Sequence, residues 1–465
     1  MTLANNPEAV RRAVRRLRPS LGDRLLTTAD DGYEAARRVW NGAVTTRPAL
    51  LARCLDLDEV RRVLDTARDC DLPLSVRGGG HDWAGRALRP GGLVLDLTGL
   101  RRVTMDDVAG TALAEGGVTA GGLLAAARPY GQVAATGVIR ATGMAGLALA
   151  GGYGPLVGRY GLALDNLLGA EVVLADGDVV TAGPDDDAEL FWALRGGGAN
   201  FGVVTRLRHR LHPLTGVLAG MILFPVAQAR TVLAGYREFL PGCPDELTVM
   251  AGFLPDPAGE MSVFLAPTWS GSDLAAGDRA IARLTALGRP VASHIAPMPY
   301  DDVLGMFDGG MVDGNHYLLR TRWLAELSEP AVEVLLDAAL TVSSPYSALA
   351  VHHFHGAATR VGRTDTAFGL RDEHLLVEII AVWPPASRTG QPASAHRDWA
   401  ERTSSRLAPM ALPGGYPNLL GPDEPERVRL GYGPNHPRLI AAKRRYDPEN
   451  VFGSAVPTLL GTGRP

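Results

Sequence analysis

Three glycine-dense segments in the first half of the chain constrain its fold more than any other feature. They read RGGGHDWAG at residues 77–85, TGMAGLALAGGYGPLVGRYG at 142–161 and RGGGANFGVVT at 195–205. Glycine carries no Cβ atom, so backbone amides in such segments can approach a phosphate group closely. One segment alone would be compatible with a tight surface turn. Three of them, each beside a strand-like run, favour a large phosphate-bearing cofactor held between subdomains.

The signatures of other common nucleotide sites are missing. No G-x-G-x-x-G opens a helix after a strand with an acidic residue about 20 positions later, so a Rossmann dinucleotide site is not supported. Lys443 is the single lysine among 46 basic residues, and it lies in a Lys-Arg-Arg stretch. That setting fits neither a phosphate-binding loop nor a kinase strand. We therefore do not expect nucleoside triphosphate or pyridoxal chemistry.

Charge and cysteine content indicate which partners the protein has and in which cellular compartment it is found. The net charge of −4 comes from 46 basic and 50 acidic side chains, with no long run of either sign. We expect no nucleic-acid partner and no membrane partner. Cys54, Cys70 and Cys243 are far apart, which disfavours iron–sulfur and cysteine-based zinc sites and favours a reducing compartment. No apolar run of signal-peptide or membrane-spanning length occurs, so we expect a cytoplasmic protein.

Hydrophobic patterns predict an α+β fold and divide the chain into regions of different character. Short strands alternate with helices and glycine turns up to residue 216, whereas longer strands and helices fill 217–430. The remaining stretch, 431–465, combines a basic helical segment with an apolar tail that can return to the first domain. We therefore predict one domain at 1–216, completed by 431–465, and a second domain at 217–430.

Individual elements can be predicted within these domains. Apolar residues at helical spacing behind acidic residues predict an amphipathic helix around Val60–Ala67, and a helix at 330–340 begins after Ser328 as its cap. Strands are expected at 72–76, 92–97, 348–354 and 375–382, and a hairpin around Asp-Gly joins 170–175 to 179–181.

Four ordered motifs resemble a known family. RGGGH, GGYG…RYGL..DN, RGGG.NFGVVT and the late YDPEN.F are similar to the flavin oxidases of the p-cresol methylhydroxylase/vanillyl-alcohol oxidase superfamily. Within it they look most like the berberine bridge enzyme-like (BBE-like) branch, in particular its 6-hydroxy-D-nicotine oxidase and actinomycete antibiotic-tailoring types. The resemblance runs from about residue 30 to 452. It implies a PCMH-type FAD-binding domain, a substrate domain with an antiparallel sheet, and FAD as cofactor.

The resemblance also implies a set of cofactor-binding residues. In that family the histidine of the R-x-G-G-H turn bonds covalently to the flavin's 8α carbon, which makes His81 the attachment residue. Many relatives add a second link from a cysteine upstream of GG[YF]G, but Ile139 stands at that position, so we expect a single link. The residues implied to bind FAD are Arg77, Gly78, Gly79, Gly80, His81, Thr142, Gly143, Gly146, Gly152, Tyr153, Tyr160, Gly161, Asp165, Asn166, Gly202, Val203, Tyr416 and Asn418.

Two departures from the family pattern affect the chemistry. Sugar and alcohol oxidases of this branch carry Y-x-N-Y, whose second tyrosine acts as base, whereas this chain has Leu419 at that position. The final flavin-side segment of the family carries two asparagines, and here residues 452–457 read FGSAVP. A sugar oxidase is therefore not expected, and part of the usual flavin contact is replaced.

The segment VHHFHG at 351–356 offers replacement polar groups. Alternate side chains of a strand share a face, so His353 and His355 point one way and His352 the other. Relatives carry acidic residues facing the substrate at this place, which suggests His353 and His355 as catalytic residues that hydrogen-bond substrate or accept a proton. Core histidines with satisfied partners are an equally weighted alternative. A metal site is not expected, because no third ligand is obvious.

These observations together predict an FAD-dependent oxidoreductase, an oxidase rather than a dehydrogenase. Hydride would pass from a small secondary-metabolite alcohol, amine or ring system to covalently bound flavin, with molecular oxygen as the second partner. Two alternatives remain open on the same fold. One is a flavin-bearing protein that binds a natural product for resistance, and the other is a cyclase that uses flavin without redox turnover.

Overall fold

The computed structural model describes residues 7–256, 259–385, 391–455 and 459–460. The predicted tail residues 456 and 457 lie outside these ranges. Within the described residues the helices are α1 Pro7–Leu21, α2 Tyr33–Ala36, α3 Leu57–Asp69, α4 Ala120–Ala127, α5 Met144–Ala150, α6 Val157–Tyr160, α7 Ala188–Gly197, α8 Ala229–Phe239, α9 Leu274–Thr285, α10 Tyr300–Gly305, α11 Glu329–Leu340, α12 Ala393–Leu407, α13 Pro425–Tyr432 and α14 His436–Tyr446.

The strands belong to three larger sheets and one short pair. Their bounds are β1 Leu25–Thr27, β2 Leu50–Arg53, β3 Leu74–Arg77, β4 Leu93–Asp96, β5 Val103–Asp106, β6 Thr111–Glu115, β7 Gln132–Val133, β8 Leu167–Val173, β9 Val179–Ala182, β10 Val203–Arg210, β11 His212–Pro213, β12 Val217–Pro225, β13 Leu247–Pro255, β14 Met261–Trp269, β15 Ala292–Met298, β16 His316–Leu324, β17 Ala348–Phe354 and β18 His374–Trp383.

The first sheet has the strand order β1-β2-β4-β3, with β2 and β3 both parallel to β4. Helices α1 and α3 pack on it through Leu17, Val63 and Leu64, which are fully buried. The predicted amphipathic helix is confirmed as α3, and the Asp56 carboxylate caps it by accepting a hydrogen bond from the backbone N–H of Glu59. Strand β3 ends where the first glycine segment begins, so the direction of this strand determines where that turn lies.

The second sheet, β5-β6-β10-β8-β9, is antiparallel throughout. The predicted Asp-Gly hairpin is confirmed as β8 and β9. Helices α4, α5 and α7 pack in the core of this region together with α14, whose Leu439 is fully buried there. The second glycine segment includes α5, and the third lies between α7 and β10.

The third sheet has seven antiparallel strands in the order β15-β12-β14-β13-β17-β18-β16. One face buries leucine, isoleucine and valine side chains under α8, α9, α11 and α12. The other face turns toward the glycine-rich region and carries aromatic and small residues. Strands β17 and β18 match their predicted positions within one residue at each end.

One predicted cap differs from the structure. Helix α11 begins at Glu329 after Ser328, as predicted, but the Ser328 side chain makes no capping hydrogen bond. Its hydroxyl instead lies 3.8 Å from the sulfur of Met410. The backbone therefore has the geometry of a helix start at Ser328, but the hydroxyl does not make the capping hydrogen bond for which serine is usually favoured at this position.

The C-terminal tail returns to the first sheet. Val451 and Phe452 are buried in the same core as α1 and α3. Asp447 fixes this return, because its carboxylate accepts hydrogen bonds from the backbone N–H groups of Val451 at 2.8 Å and Phe452 at 2.9 Å. The Lys443 ammonium lies 2.6 Å from the same carboxylate, and both side chains are fully buried. The exact domain limits at 216 and 430 stay a prediction.

Removal of the Asp447 carboxylate should destabilise the protein strongly. Asp447→Ala leaves the Lys443 ammonium buried without its counter-ion, which typically costs about 3–5 kcal/mol. Chemical denaturation followed by circular dichroism should show a much lower midpoint than that of the unmodified chain. Glu333→Ala serves as control, since its ion pair with Arg230 lies at the surface, and it should barely move the midpoint. Equal midpoints for the two variants would contradict this account of the tail.

Candidate FAD site

A large cavity lies between the glycine segments and the third sheet. Its empty volume is about 1710 Å³, with open solvent at its mouth included. The turn after β3, the segment 137–147 and the tail residues 452–455 form one side, and strands β16, β17 and β18 form the other. The predicted residues on its wall are Gly78, Gly79, Gly80, His81, Thr142, Gly143, Gly146, Tyr153, Tyr416 and Asn418.

Two glycines allow the first and second glycine segments to touch. A Cβ atom added to Gly79 would lie 2.4 Å from the backbone nitrogen of Gly143, and one added to Gly143 would lie 2.4 Å from the nitrogen of Gly79. Any side chain at either position would therefore separate the two segments. Gly80 has a φ of 69°, in the left-handed region that favours glycine. The result is a cradle of backbone amides at this end of the cavity.

His81 follows this turn directly and is held by an aromatic stack. Its ring lies on the indole of Trp40 with centroids 4.4 Å apart, and Trp40 stacks in turn on Tyr317 of β16 at 4.0 Å. Burial lowers the pKa of His81 below its ordinary value, because desolvation disfavours the imidazolium. The ring is therefore neutral at pH 7 and has a free nitrogen lone pair.

Asn41 joins the His81 turn to the third sheet. Its side-chain amide donates hydrogen bonds to the backbone carbonyls of Trp83 at 2.6 Å and Tyr317 at 2.9 Å. Its side-chain oxygen accepts one from the N–H of Tyr317 at 2.9 Å. The loop that carries Trp40 and Asn41 thus fixes the distance between the two sides of the cavity.

Tyr416 and Asn418 support the second glycine segment. The Tyr416 hydroxyl accepts hydrogen bonds from the backbone N–H of Gly152 at 2.7 Å and from the Asn418 amide at 3.0 Å. Burial raises the pKa of Tyr416 to about 12. The phenol therefore stays protonated and retains its own hydrogen as a donor. Tyr153, also fully buried, lies 2.6 Å from His374 through its hydroxyl.

His352 and Glu378 form the polar part of the sheet-side wall. They lie on the neighbouring strands β17 and β18, where Glu378 pairs in register with Ala350 and His352 with Leu376. The Nε2 atom of His352 is 3.3 Å from a carboxylate oxygen of Glu378. This nitrogen is buried and has no hydrogen-bond partner among the described residues. Leu319 and Ile380 provide apolar wall beside the pair.

The structure places the three histidines of this segment differently from the prediction. His352 is on the wall of the large cavity, whereas His353 lines a smaller neighbouring pocket together with His352 and Tyr153, and His355 lines neither. The reason is the alternation of side chains along the strand: Leu349 and Val351, which share the parity of His353, are buried under the helices of the other face. His353 and His355 lie against each other there, with their rings 4.2 Å apart.

Other predicted cofactor residues lie off the cavity wall and hold the glycine segments in place. Asp165 makes a bidentate ion pair with Arg371, at 2.9 and 3.0 Å, in which both side chains are buried. Arg77 donates to the backbone carbonyl of Ala36 at 2.6 Å. The remaining members of this group are Gly152, Tyr160, Gly161, Asn166, Gly202 and Val203, of which the last two adjoin the wall residue Val204.

Several wall residues were not predicted from the sequence. They are Trp40, Asp82, Trp83, Arg86, Met311, Leu319, His352, Glu378, Ile380 and Ser454. The period-two pattern of β18 offered a usable signal for Glu378, since a lone carboxylate interrupts the apolar run HLLVEIIAVW. Trp40 and Met311 lie outside strands and helices, and no periodicity marks them.

The residues present fit FAD. Backbone amides of three consecutive glycines suit a pyrophosphate at one end of the cavity. The rest of the wall is mainly apolar, which suits the ring system of a flavin. Ile139 is on the wall, so no thiol stands at the place where relatives form the second flavin link.

Comparison with known proteins agrees with this assignment. A family model for the FAD binding domain matches residues 48–183, and one described as berberine and berberine like matches 415–456. The (R)-6-hydroxynicotine oxidase of Paenarthrobacter nicotinovorans is 34% identical over 455 residues, which cover 93% of this chain and 96% of that protein. The FAD-linked oxidoreductase aurO of Gibberella zeae is 28% identical and covers 92% of this chain and 84% of its own.

Solved structures show the same fold. The crystal structure of 6-hydroxy-D-nicotine oxidase from Arthrobacter nicotinovorans has a TM-score of 0.83 at 32% identity, covering 93% of this chain and 96% of that one. Chitooligosaccharide oxidase has a TM-score of 0.82 at 21% identity, with 97% and 100% covered, and supports the fold alone. The fold and the cavity thus define an FAD-dependent oxidoreductase with a PCMH-type FAD-binding fold.

The sequence and structural relationships are specific enough to name the family. The chain belongs to the berberine bridge enzyme-like FAD-linked oxidoreductases, as the motifs predicted. Among the described residues no helix is both long and apolar enough to span a bilayer.

The contact between the glycine segments can be tested by adding one methyl group. Gly79→Ala places a Cβ against the backbone of Gly143, so the cradle must open and the flavin-to-protein ratio of the purified enzyme should fall several-fold. Gly242→Ala is the control, because a Cβ there meets nothing within 4 Å, and its flavin content should be unchanged. Normal flavin loading in Gly79→Ala would show that the close approach is not needed for binding.

Proposed function

We propose that the protein is an oxidase of a small ring-bearing secondary metabolite, an alcohol, an amine or a ring system, and that its FAD is attached through His81. The observation that carries this proposal is the His352–Glu378 pair, which faces the glycine cradle across the cavity. The similarity to a relative named as a nicotine oxidase supports an oxidase with a substrate of this size.

His81 is suited to a covalent link for two reasons. Its neutral ring has a nucleophilic lone pair, because burial lowers its pKa. The stack on Trp40 fixes the plane of the ring, so little side-chain freedom remains to be lost when a bond forms. Since Ile139 cannot form a bond, the link through His81 is the single one.

When bound, FAD accepts hydride from a substrate carbon and passes the electrons on to an acceptor. The chain's own part is to hold the substrate and to take the proton of its hydroxyl or amine group. His352 presents a buried nitrogen, Nε2, without a hydrogen-bond partner among the described residues, and a carboxylate oxygen of Glu378 lies 3.3 Å from this same nitrogen. The pair can therefore accept a proton and stabilise the resulting imidazolium. Leu419 occupies the place of the family's tyrosine base, so this pair takes over its role.

The apolar residues beside the pair select for a ring. Met311, Leu319 and Ile380 line the cavity on the sheet side, and they exclude water from the reacting groups. We take molecular oxygen as the electron acceptor and the cytoplasm as the location. The three cysteines are free, which is the common state of cysteines in a reducing compartment.

The attachment can be tested directly. After acid precipitation of the purified enzyme, the yellow colour should stay with the polypeptide, and His81→Ala should release all flavin into the supernatant. His396→Ala, which removes a buried histidine of α12, should retain the colour. Flavin still bound to precipitated His81→Ala would place the covalent bond elsewhere.

The proton acceptor can be tested by anaerobic reduction of the flavin. Candidate compounds, beginning with (R)-6-hydroxynicotine and related cyclic amines and alcohols, are screened for bleaching of the flavin. With any compound that bleaches it, His352→Gln and Glu378→Gln should lower the rate of reduction by about 10²–10⁴-fold, the usual range for loss of a general base. His396→Gln should reduce at the normal rate, and flavin content should be equal in all variants.

Three other results would redirect the proposal. Reduction at the normal rate in both His352→Gln and Glu378→Gln would leave hydride transfer without a protein base. A compound that shifts the flavin spectrum without bleaching it would instead favour a binding or resistance protein on this fold. Slow reoxidation in air, combined with fast turnover on a dye, would indicate a dehydrogenase.

A further inference from the structure

A cluster of three side chains with metal-ligating atoms lies at the end of β17, off the wall of the large cavity. Cys243, His353 and His355 each offer one ligand atom, and these atoms are all within 4.8 Å of one another. His353 belongs to β17 and His355 follows it, while Cys243 lies in the loop before β13. The third ligand that the sequence did not show is thus supplied from a distant part of the chain.

The hydrogen bonds of His353 leave one nitrogen available. Its Nε2 atom is 2.8 Å from a carboxylate oxygen of Glu373, whereas its Nδ1 atom is buried without a partner among the described residues. A metal-bound histidine characteristically donates its other ring N–H to a carboxylate, which fixes the tautomer and directs the lone pair at the metal. His353 has this arrangement, with Glu373 as the outer carboxylate.

Packing alone does not account for the cluster. His355 is only 4% exposed. Its Nε2 atom is also buried and has no hydrogen-bond partner in the described part of the chain. A buried polar atom without a hydrogen bond destabilises the folded state. Here two such atoms lie on neighbouring histidine rings beside a thiol, and this is a set of donors that a metal ion can use.

We propose that Cys243, His353 and His355 bind one zinc ion. One sulfur and two imidazole nitrogens are a ligand combination that zinc favours in tetrahedral sites. A water molecule would take the fourth position. Upon binding, the Cys243 thiol, which lies 3.1 Å from the carbonyl oxygen of Leu247, loses its proton to solvent and becomes a thiolate.

The geometry requires the side chains to move. Zinc–nitrogen bonds of about 2.0–2.1 Å and zinc–sulfur bonds of about 2.3 Å place neighbouring ligand atoms of a tetrahedron about 3.3–3.6 Å apart. The ligand atoms, which lie within 4.8 Å of one another, must therefore close up by as much as about 1.2–1.5 Å, and the parallel rings of His353 and His355 must rotate out of their stack so that both lone pairs point at the ion.

The position of the site suggests a structural role. Gly158 of α6 abuts the His355 ring, since a Cβ added there would lie 2.4 Å from a ring carbon. The ion would thus tie the end of β17 to the loop before β13, at the point where α6 meets the third sheet. The neighbouring residue on the strand is His352, so the ion would also hold the cavity-side histidine in place.

Metal analysis of the flavin-loaded enzyme tests the proposal. The protein is produced without a histidine tag, desalted and analysed by plasma mass spectrometry, and the metal-free form is titrated with zinc. We expect about one zinc per chain in the unmodified enzyme and less than a tenth of that in Cys243→Ala. Cys70→Ala removes another buried thiol and should keep its zinc. Glu373→Gln should bind zinc about 10–100-fold more weakly, as loss of an outer carboxylate does.

A second readout identifies the ligands. Cobalt added to the metal-free enzyme should give tetrahedral d–d bands at longer wavelengths than flavin absorbs, and these bands should be absent from Cys243→Ala and His355→Ala. Equal zinc content in Cys243→Ala and Cys70→Ala would overturn the proposal, as would failure of the unmodified enzyme to bind zinc in titration. Neither readout depends on turnover, so the result is independent of the proposed oxidase activity.

Discussion

The close approach of Gly79 to Gly143 is the contact on which the rest of the site depends. Two turns that are far apart in sequence meet without intervening side chains, and their amides form one end of the cavity. The direction of His81 follows from that turn, and its ring is held by Trp40 against Tyr317. The flavin end and the substrate end of the cavity are therefore connected through a continuous series of contacts.

The third sheet contributes in a different way on each face. Burial of apolar side chains under α8, α9, α11 and α12 is the main source of free energy that orients the sheet. Once that face is buried, the residues of opposite parity must turn toward the cavity. His352 and Glu378 are placed by this rule, so the helices on the far side determine which polar groups face the cavity.

Local patterns allowed a few elements to be predicted, because spacing and capping are properties of short segments. Helix α3, the β8–β9 hairpin and strand β17 were expected where they occur. The orientation of β17 was missed because VHHF carries one apolar residue and one histidine at each parity, and partner strands decide between them. Trp40 and Cys243 were missed for a related reason: their contacts join distant parts of the chain. Asp165 was predicted to bind FAD because it belongs to a motif, and the structure places it off the cavity wall, in an ion pair with Arg371.

The two consecutive histidines of β17 have a consequence for the evolution of this strand. Because the side-chain period of a strand is two, a slip of one residue against β18 would exchange the surroundings of His352 and His353. His352 would move from the cavity wall to the neighbourhood of Cys243, and His353 would move to the cavity wall. The pairing of Ala350 with Glu378 and of Phe354 with His374 is the register in which His352 lines the cavity. An insertion or deletion within 348–354 would therefore be far more damaging than most substitutions there.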